Sequence, residues 1–221
     1  MTAAPGIPGR EVQCAEAIAW MRARGPIPGA SAVTSLPDVS ELGVSPPVWR
    51  GWFLDAVGQV IGAVPDEGVA LFFQSDIKRD GVWVDKGALV VRAAEDAGAR
   101  VLFHKIVCRR PPGLLTLGRP GFTHLIAVSR TLKCPDVLPI PDVITDPGRP
   151  PWVRAMGVRA AAHAVRFARD QAAARLIFDP FCGVGTVLAV ANLLGLAALG
   201  VEQSRKRCER ARRLKLDPRE L

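Results

Sequence analysis

Apolar residues along the chain recur at two alternating periods. Short runs rich in β-branched and aromatic residues, "ASAVTS", "GVALFFQSD", "ARVLFHKIV", "FTHLIAVS", "ARLIFD" and "AALGVE", read as buried strands. Between them lie stretches with helical spacing: Ala15 to Ala23, "PVWRGWFLDAVGQVIGAV", "DKGALVVRAAEDAG" closed by Gly98, the later part of Arg149 to Arg169, "TVLAVANLLG", and a basic helix at the C-terminal end. Strands alternating with helices predict an α/β fold in one domain spanning residues 1–221, a mostly parallel sheet with helices on both faces. Two proline-rich stretches interrupt that order, "CRRPPGLLTLGRPG" (Cys108 to Gly121) and "CPDVLPIPDVITDPGRPP" (Cys134 to Pro151). Each is long for a structureless connection, which marks it as functional or flexible.

Composition narrows the class. Apolar residues make up 49% of the chain, enough for a buried core. The longest apolar run, Val187 to Val201, is broken by Asn192 and Gly195 and falls short of a membrane span. No charged-then-apolar leader is visible at the N-terminus. The five cysteines are scattered without CxxC spacing, so the expectation is a soluble, cytoplasmic chain with no structural zinc. The net charge of +8 and pI near 9.8 suit a phosphate-rich partner, whose binding releases condensed counterions. A solvated surface explains such a charge as well, so its placement has to decide.

The chemistry concentrates in "DPFCGVGT", where a strand meets a glycine turn and a helix. Gly183 and Gly185 allow close backbone approach to a ligand, and the helix N-terminus follows at once. Asp179 ends that strand, and Glu202 ends the next at the spacing where a carboxylate meets ribose hydroxyls. No GxGxxG is present and no lysine follows the glycines, so neither a dinucleotide nor a triphosphate fits. Such a turn normally sits near the N-terminus of a nucleotide-binding domain, and here it comes almost at the end.

Three segments in order resolve the oddity. "AEAIAWM", "TSLPD" and "DPFCGVGT" resemble the "GDALEWL", "TSPPY" and "DPFxGSGTT" segments of the amino-methyltransferases of nucleic acids that use S-adenosylmethionine, and "VLFHK…GRPGFTHLIAVSR" is similar to that family's intervening stretch. The resemblance spans about Ala15 to Arg212. It implies a Rossmann-like methyltransferase domain with circularly permuted motifs: a catalytic half at about 11–130, a proline-rich connection at 131–151 and a cofactor half at 152–221. It implies S-adenosylmethionine held by Asp179, Pro180, Phe181, Gly183, Gly185, Thr186 and Glu202, with Glu16 reaching the adenine amino group. It also implies that Ser35 accepts a hydrogen bond from the amino group to be methylated, and that the carbonyl of Leu36 or Pro37 accepts the other. Leu36 stands where the family has proline, and Asp38 where it has the aromatic residue that stacks on the target base. An aspartate does not stack, and Asp38 is expected to act in catalysis instead, accepting a proton from the amino group or pairing with a different edge of the target. Stacking then passes to Trp49, Trp52 or Phe122, among which the sequence does not choose. Phe181 is placed to face the sulfonium, and Trp152, Met156 and Gly157 to close over the methionine end.

Gln74, Asp76 and Lys78 sit at a strand exit, where active-site residues of open sheets gather, although a solvated loop explains them as well. His104, Cys108 and His124 fit no common zinc spacing, and methyl transfer needs no metal. For the substrate, Arg109, Arg110 and Arg119 lie in the first proline-rich loop, with Lys105 and His124 beside it. The tail adds Arg205, Lys206, Arg207, Arg210, Arg212 and Arg213. DNA enzymes of the family usually carry a target-reading region near Cys134 to Pro151, and here that insertion is short. The expectation is therefore a structured RNA, such as rRNA or tRNA, in preference to DNA. The rivals are a DNA methyltransferase relying on a partner for specificity, and a catalytically silent RNA-binding relative that lost its stacking aromatic at Asp38.

Overall fold

The computed structural model describes residues 9–152 and 155–221. Residues 1–8, on which the expectation about a leader falls, and residues 153–154 of the segment expected to close the site lie outside the described residues. The chain opens with β1 (Arg10–Cys14) and α1 (Ala17–Arg24), then β2 (Ala30–Thr34), the one-turn α2 (Val39–Leu42), α3 (Pro46–Gly62) and β3 (Ala70–Gln74). A hairpin of β4 (Ile77–Arg79) and β5 (Val82–Val84) precedes α4 (Lys86–Asp96), β6 (Arg100–Cys108), β7 (Phe122–Ser129) and the two-residue β8 (Val143–Ile144). The remainder is α5 (Val158–Gln171), β9 (Leu176–Asp179), α6 (Thr186–Leu193), β10 (Ala197–Glu202), α7 (Arg205–Arg213) and a 3-10 turn at Pro218–Glu220.

Eight strands form one sheet in the order β1-β10-β9-β2-β3-β7-β6-β8. All run parallel except β7, which is antiparallel to both β3 and β6. The central strands are buried on both faces, which is why they read as continuous apolar runs instead of alternating ones. In β3, Leu71 and Phe73 join the core beneath α5 and α6, while Ala70 and Phe72 join the core beneath α1, α3 and α4. Alanines at 160, 161, 162, 164 and 168 bury one side of α5 completely and let it lie close to the sheet. Among the described residues no helix is long and apolar enough to cross a membrane.

Strand order reverses between β9 and β2. From β9 the chain moves outward through α6 to β10, and from β2 it moves the opposite way through α3 to β3. The two connections leave a crevice above the carboxyl ends of β9 and β2, where ligands of open α/β sheets bind. A buried hydrogen bond from Thr34 Oγ1 to Asp179 Oδ1, 2.7 Å, ties the two strand ends together at its floor.

Among the described residues the expected helices and strands are present, and several further elements join them. The first is β1, whose "REVQC" buries only Val12 and so carries almost no apolar signal. It pairs with β10 from Arg10↔Ala198 to Cys14↔Glu202. The opening residues therefore lie on the side of the sheet that holds the late glycine turn, although they fall within the stretch assigned to the catalytic half. The second is the β4–β5 hairpin, which turns on Asp80 and Gly81, both at positive φ (49° and 79°). That Asp-Gly pair is a hairpin signal in its own right, whereas the expectation for this segment was a strand exit carrying site residues or a solvated loop. The third is α2, a single turn directly behind "TSLPD". The last is β8, which anchors the second proline-rich stretch to β6.

Gly200 tests the packing under the glycine turn. A Cβ there would lie 2.6 Å from Leu188 Cδ1 and 2.7 Å from Cys182 Sγ. Gly200→Ala is expected to destabilise the fold by about 1–3 kcal/mol, as overpacking does. A urea unfolding midpoint equal to wild type would contradict this close approach.

Candidate active site

The crevice opens into a cleft of about 820 Å³, bordered by residues that follow β1, β2, β9 and β10. Its lining joins segments far apart in sequence: Glu16, Ser35 to Pro37, Asp179 to Val184, Thr186, and Glu202 to Ser204. Trp52, Trp152, Met156 and Phe181 supply apolar walls.

The glycine turn is built around Asp179, whose Oδ1 accepts from Thr34 Oγ1 and, at 3.2 Å, from the Phe181 amide. The turn closes with the Gly185 amide donating to the Cys182 carbonyl at 2.7 Å. Its two glycines have different roles. Gly183, at φ 54°, has nothing within 4 Å of where a Cβ would stand and lines the cleft. Gly185, at φ 86°, would place a Cβ 2.8 Å from Ala211 Cα, so the packing of α7 requires it. Gly185 is not among the described residues lining the cleft, and the demand on its backbone comes from α7. Thr186 opens α6, and its hydroxyl is buried without a hydrogen-bond partner. An orphaned donor and acceptor at a helix N-terminus, facing a cleft, suits an anionic group.

Burial pushes the Asp179 carboxyl up to about 7, with its two hydrogen bonds opposing the shift and Glu202 adding to it. Burial, with Asp179 and Glu202 nearby, also pushes the Cys182 thiol up, so that cysteine packs and is no nucleophile. Glu202 ends β10, takes the Ser204 amide at 2.8 Å and lies 3.8 Å from an Arg207 guanidinium nitrogen. Glu16 caps α1, accepting from the amides of Ile18 (3.0 Å) and Ala19 (2.7 Å). A carboxylate has room for further donors, and Glu16 still borders the cleft.

In the "TSLPD" segment, Ser35 is exposed to the cleft while Leu36 is buried beside it. The Pro37 carbonyl accepts from the Trp49 indole at 3.3 Å, and among the described residues no such bond is seen to the Leu36 carbonyl, the other expected acceptor. Asp38 turns away. It caps α2, accepts from the Val39 amide at 2.7 Å, forms a capping box with Glu41, and lies 3.6 Å from Arg119. It does not appear among the residues lining the cleft. Trp49 is 2% exposed and packs on Phe53 at 5.1 Å, so it is not available to stack. Phe122 packs edge-on against His124. Of the three aromatic candidates, Trp52 is the one lining the cleft, edge-on to Phe181 with ring centres 5.7 Å apart.

A second polar network lies beside the cleft, above β3 and β7. His104 and His124 share a hydrogen bond of 2.8 Å, and His124 Nε2 is 2.9 Å from Asp76 Oδ2. Asp76 also accepts from the Lys86 amide (2.8 Å) and the Trp83 indole (3.2 Å). Burial pushes Asp76 up, but these bonds more than offset it and leave it below the usual carboxylate range. Asp76, Asp85 and His124 bring ligand-type atoms within 4.8 Å of one another, and hydrogen bonds already occupy all three, Asp85 capping α4 through the Ala88 amide. Lys105 is 5% exposed and bonded to Asp142 at 2.7 Å. His124 is thus bonded to Asp76 and His104, and Lys105 to the exposed Asp142, so neither presents a free polar group toward the first proline-rich loop. Gln74 is buried with its amide unpartnered, and Lys78 is exposed on β4.

Lys86 escaped the sequence reading. It is 4% exposed, and burial lowers its ammonium pKa, against the attraction of Asp38. A lysine opening a helix gives no sign in sequence of such burial. Arg109, Arg110 and Arg119 are exposed and close together; burial and then the charges of Arg119 and Arg110 lower the Arg109 pKa. The tail arginines have structural work: Arg210 lies over the Trp152 ring at 5.6 Å, and Arg212 donates to the Val12 carbonyl at 2.6 Å.

No family model and no curated protein matches the sequence. Solved structures do match. A candidate DNA modification methylase from Thermus thermophilus, complexed with S-adenosyl-L-methionine, has a TM-score of 0.69 at 18% identity and covers 92% of each chain. The cytosine-N4-specific PvuII DNA methyltransferase has a TM-score of 0.74 at 13% identity, covering 95% of this chain and 88% of its own. M1.HpyAVI in complex with SAM has a TM-score of 0.61 at 12% identity, covering 94% of this chain and 100% of its own. The chain is similar to these proteins in fold.

Asp179 makes the stability of this site depend on pH. Its folded pKa is raised, so the folded state keeps a proton that the unfolded chain releases. That contribution is complete below about pH 4 and is lost as pH rises through about 7. Asp179→Asn is expected to flatten the fall of the urea midpoint between pH 4 and 7 relative to wild type. Parallel curves for the two proteins would contradict the raised pKa.

Proposed function

We propose that the protein is an S-adenosylmethionine-dependent methyltransferase acting on an exocyclic amino group of a base in DNA. The observation that carries this reading is one cleft shared by the glycine turn, Glu202 and the "TSLPD" segment. The named activities of the proteins with this fold support the same reading.

The residues present fit the cofactor. Glu202 would accept hydrogen bonds from both ribose hydroxyls, and the open face of Gly183 leaves room for close approach. The partnerless Thr186 hydroxyl and the α6 N-terminus would receive the methionine carboxylate, and Asp179 would face the ammonium group. Phe181 and Trp52 would wall the sulfonium. When bound, the cofactor supplies a methyl group activated by positive sulfur.

The chain's own contribution is to hold and polarise the target amine. A nucleobase amino group is a poor nucleophile because its lone pair is delocalised into the ring. Ser35 Oγ and the Leu36 carbonyl would accept its two protons in hydrogen bonds, localising that pair. Each such acceptor is worth about 1–3 kcal/mol as positive charge develops on nitrogen. Alignment of the amine with the breaking bond adds more, up to about 7–11 kcal/mol. Asp38, committed to α2 and Arg119, would shape the segment, and Trp52 would take the stacking role. A usable aromatic in the cleft weakens the argument for a silent relative.

The expectation of RNA rested on basic loops and on an insertion at Cys134 to Pro151 too short to make a target-reading region in a near-minimal domain. The Thermus thermophilus protein and the PvuII enzyme are of similar length, this chain covering 92% and 88% of them. Length therefore gives RNA no support, and positive charge attracts either polymer.

Calorimetry with S-adenosylmethionine is expected to show binding that Glu202→Ala weakens at least about tenfold, or roughly 1.4 kcal/mol. Ser35→Ala is expected to keep wild-type affinity and lose about tenfold in single-turnover methyl transfer. Absence of cofactor binding in wild type would overturn the reading. Labelled methyl groups are expected in DNA; labelling of a folded RNA alone would move the substrate to RNA and leave the chemistry intact.

A further inference from the structure

The first proline-rich stretch joins β6 to β7 at the carboxyl edge of the sheet, the edge that also carries the "TSLPD" segment and the glycine turn. Its base is closed: the amides of Arg109 and Arg110 both donate to the Gly121 carbonyl, at 2.7 and 3.1 Å. Its tip points into solvent. Leu115 is 99% exposed, Leu117 100% and Leu114 59%. Scattered exposed leucines need no explanation, but three within four residues at the tip of one loop form an apolar projection. Nothing in the fold gains from it.

The loop's flanks carry the opposite chemistry. Arg109 and Arg110 stand at one foot and Arg119 at the other; burial first, and then the charges of Arg119 and Arg110, lower the Arg109 pKa. Three neighbouring guanidiniums repel one another until anions come between them, and backbone phosphates meet that need. Arg119 also reaches to 3.6 Å from Asp38 Oδ2, so the arginine foot adjoins the segment expected to hold the target base. An apolar tip between cationic feet, beside an amine-binding segment, matches base-paired DNA: phosphates outside and a stack of apolar base faces within.

We propose that Leu115 and Leu117 form a wedge that enters the base stack of duplex DNA and holds it open while the target base occupies the cleft. The inference rests on the proposed function and adds to it how a base leaves the helix. Apolar side chains inserted at a base step unstack it in other DNA-bending proteins. A base held inside a duplex does not reach an active-site cleft, so some element must open the stack. The arginines anchor the loop without reading sequence, and the leucines act on the stack. They are positioning residues, since they would touch the DNA away from the reacting nitrogen.

Permanganate oxidises unstacked thymines and needs no knowledge of the target sequence. Mixed genomic DNA fragments bound to the full chain are expected to show new permanganate-reactive thymines. Leu115→Ser with Leu117→Ser should remove that reactivity while the fragments stay bound and the unfolding midpoint stays unchanged, because both side chains lie in solvent. In parallel, methyl transfer to the same fragments should fall at least about tenfold when they are duplex, and stay near wild type when they are heat-denatured. Arg109→Ala with Arg110→Ala should weaken binding to both forms and reduce its salt dependence. No reactivity with wild type, or equal reactivity with the leucine variant, overturns the wedge. A wild-type dimer that the leucine variant dissolves, with thymine reactivity unchanged, would instead assign the tip to a second copy of the chain. Methyl transfer to no nucleic acid at all would strike the functional reading, a result the permanganate comparison does not depend on.

Discussion

The hydrogen bond between Thr34 and Asp179 fixes the place where the two directions of the sheet part company. Asp179 is 3% exposed, and a carboxyl so buried is costly unless its oxygens are satisfied. One donor comes from β2 and the other from the turn that follows β9, so the group is satisfied only when these strand ends are adjacent and the turn is closed. Adjacency of those ends is what creates the cleft. The late position of the glycine turn has the same cause: strand pairing joins residues 34 and 179 regardless of which comes first, so a permuted chain assembles one crevice. The arrangement also leaves Asp179 with a pKa near 7, poised to ionise when a cation enters beside it.

Much of this was legible because the strands next to the switch point are buried on both faces. "ASAVTS", "GVALFFQSD" and "ARLIFD" have no polar alternation, and parallel sheets produce such runs. Motif order brought Glu16, Ser35 and Glu202 toward one ligand, and the fold places all three on one cleft. What was hidden was hidden for physical reasons. An edge strand such as β1 buries one residue in five and resembles a polar connection. A residue's type does not reveal its commitments, so Asp38, His124 and Lys105 read as available groups until their partners were known. Gly185 illustrates a further ambiguity. A glycine leaves space for whatever approaches it, and sequence does not distinguish an approaching ligand from an approaching helix.

The molecule divides its polar groups between two regions. Around the cleft, Glu16, Asp179 and Glu202 share the lining with the unpartnered Thr186 hydroxyl. Above β3 and β7, a closed network of Asp76, His124 and His104 supports the carboxyl edge from which the hairpin and the arginine loop project. Lys86 lies between the two regions, near Asp38, Asp76 and Arg119. Positive charge is also divided: tail arginines brace α7 and β1, whereas loop arginines remain exposed beside the cleft.

The central claim, that cofactor and target amine meet in one cleft at the β2–β9 switch, is tested most directly by a crystal structure of the chain grown with S-adenosylmethionine. The account predicts ribose hydroxyls on Glu202, the methionine carboxylate at Thr186, and the methyl-bearing sulfur facing Ser35. A ligand seated elsewhere, or a sulfur directed away from Ser35, would contradict it.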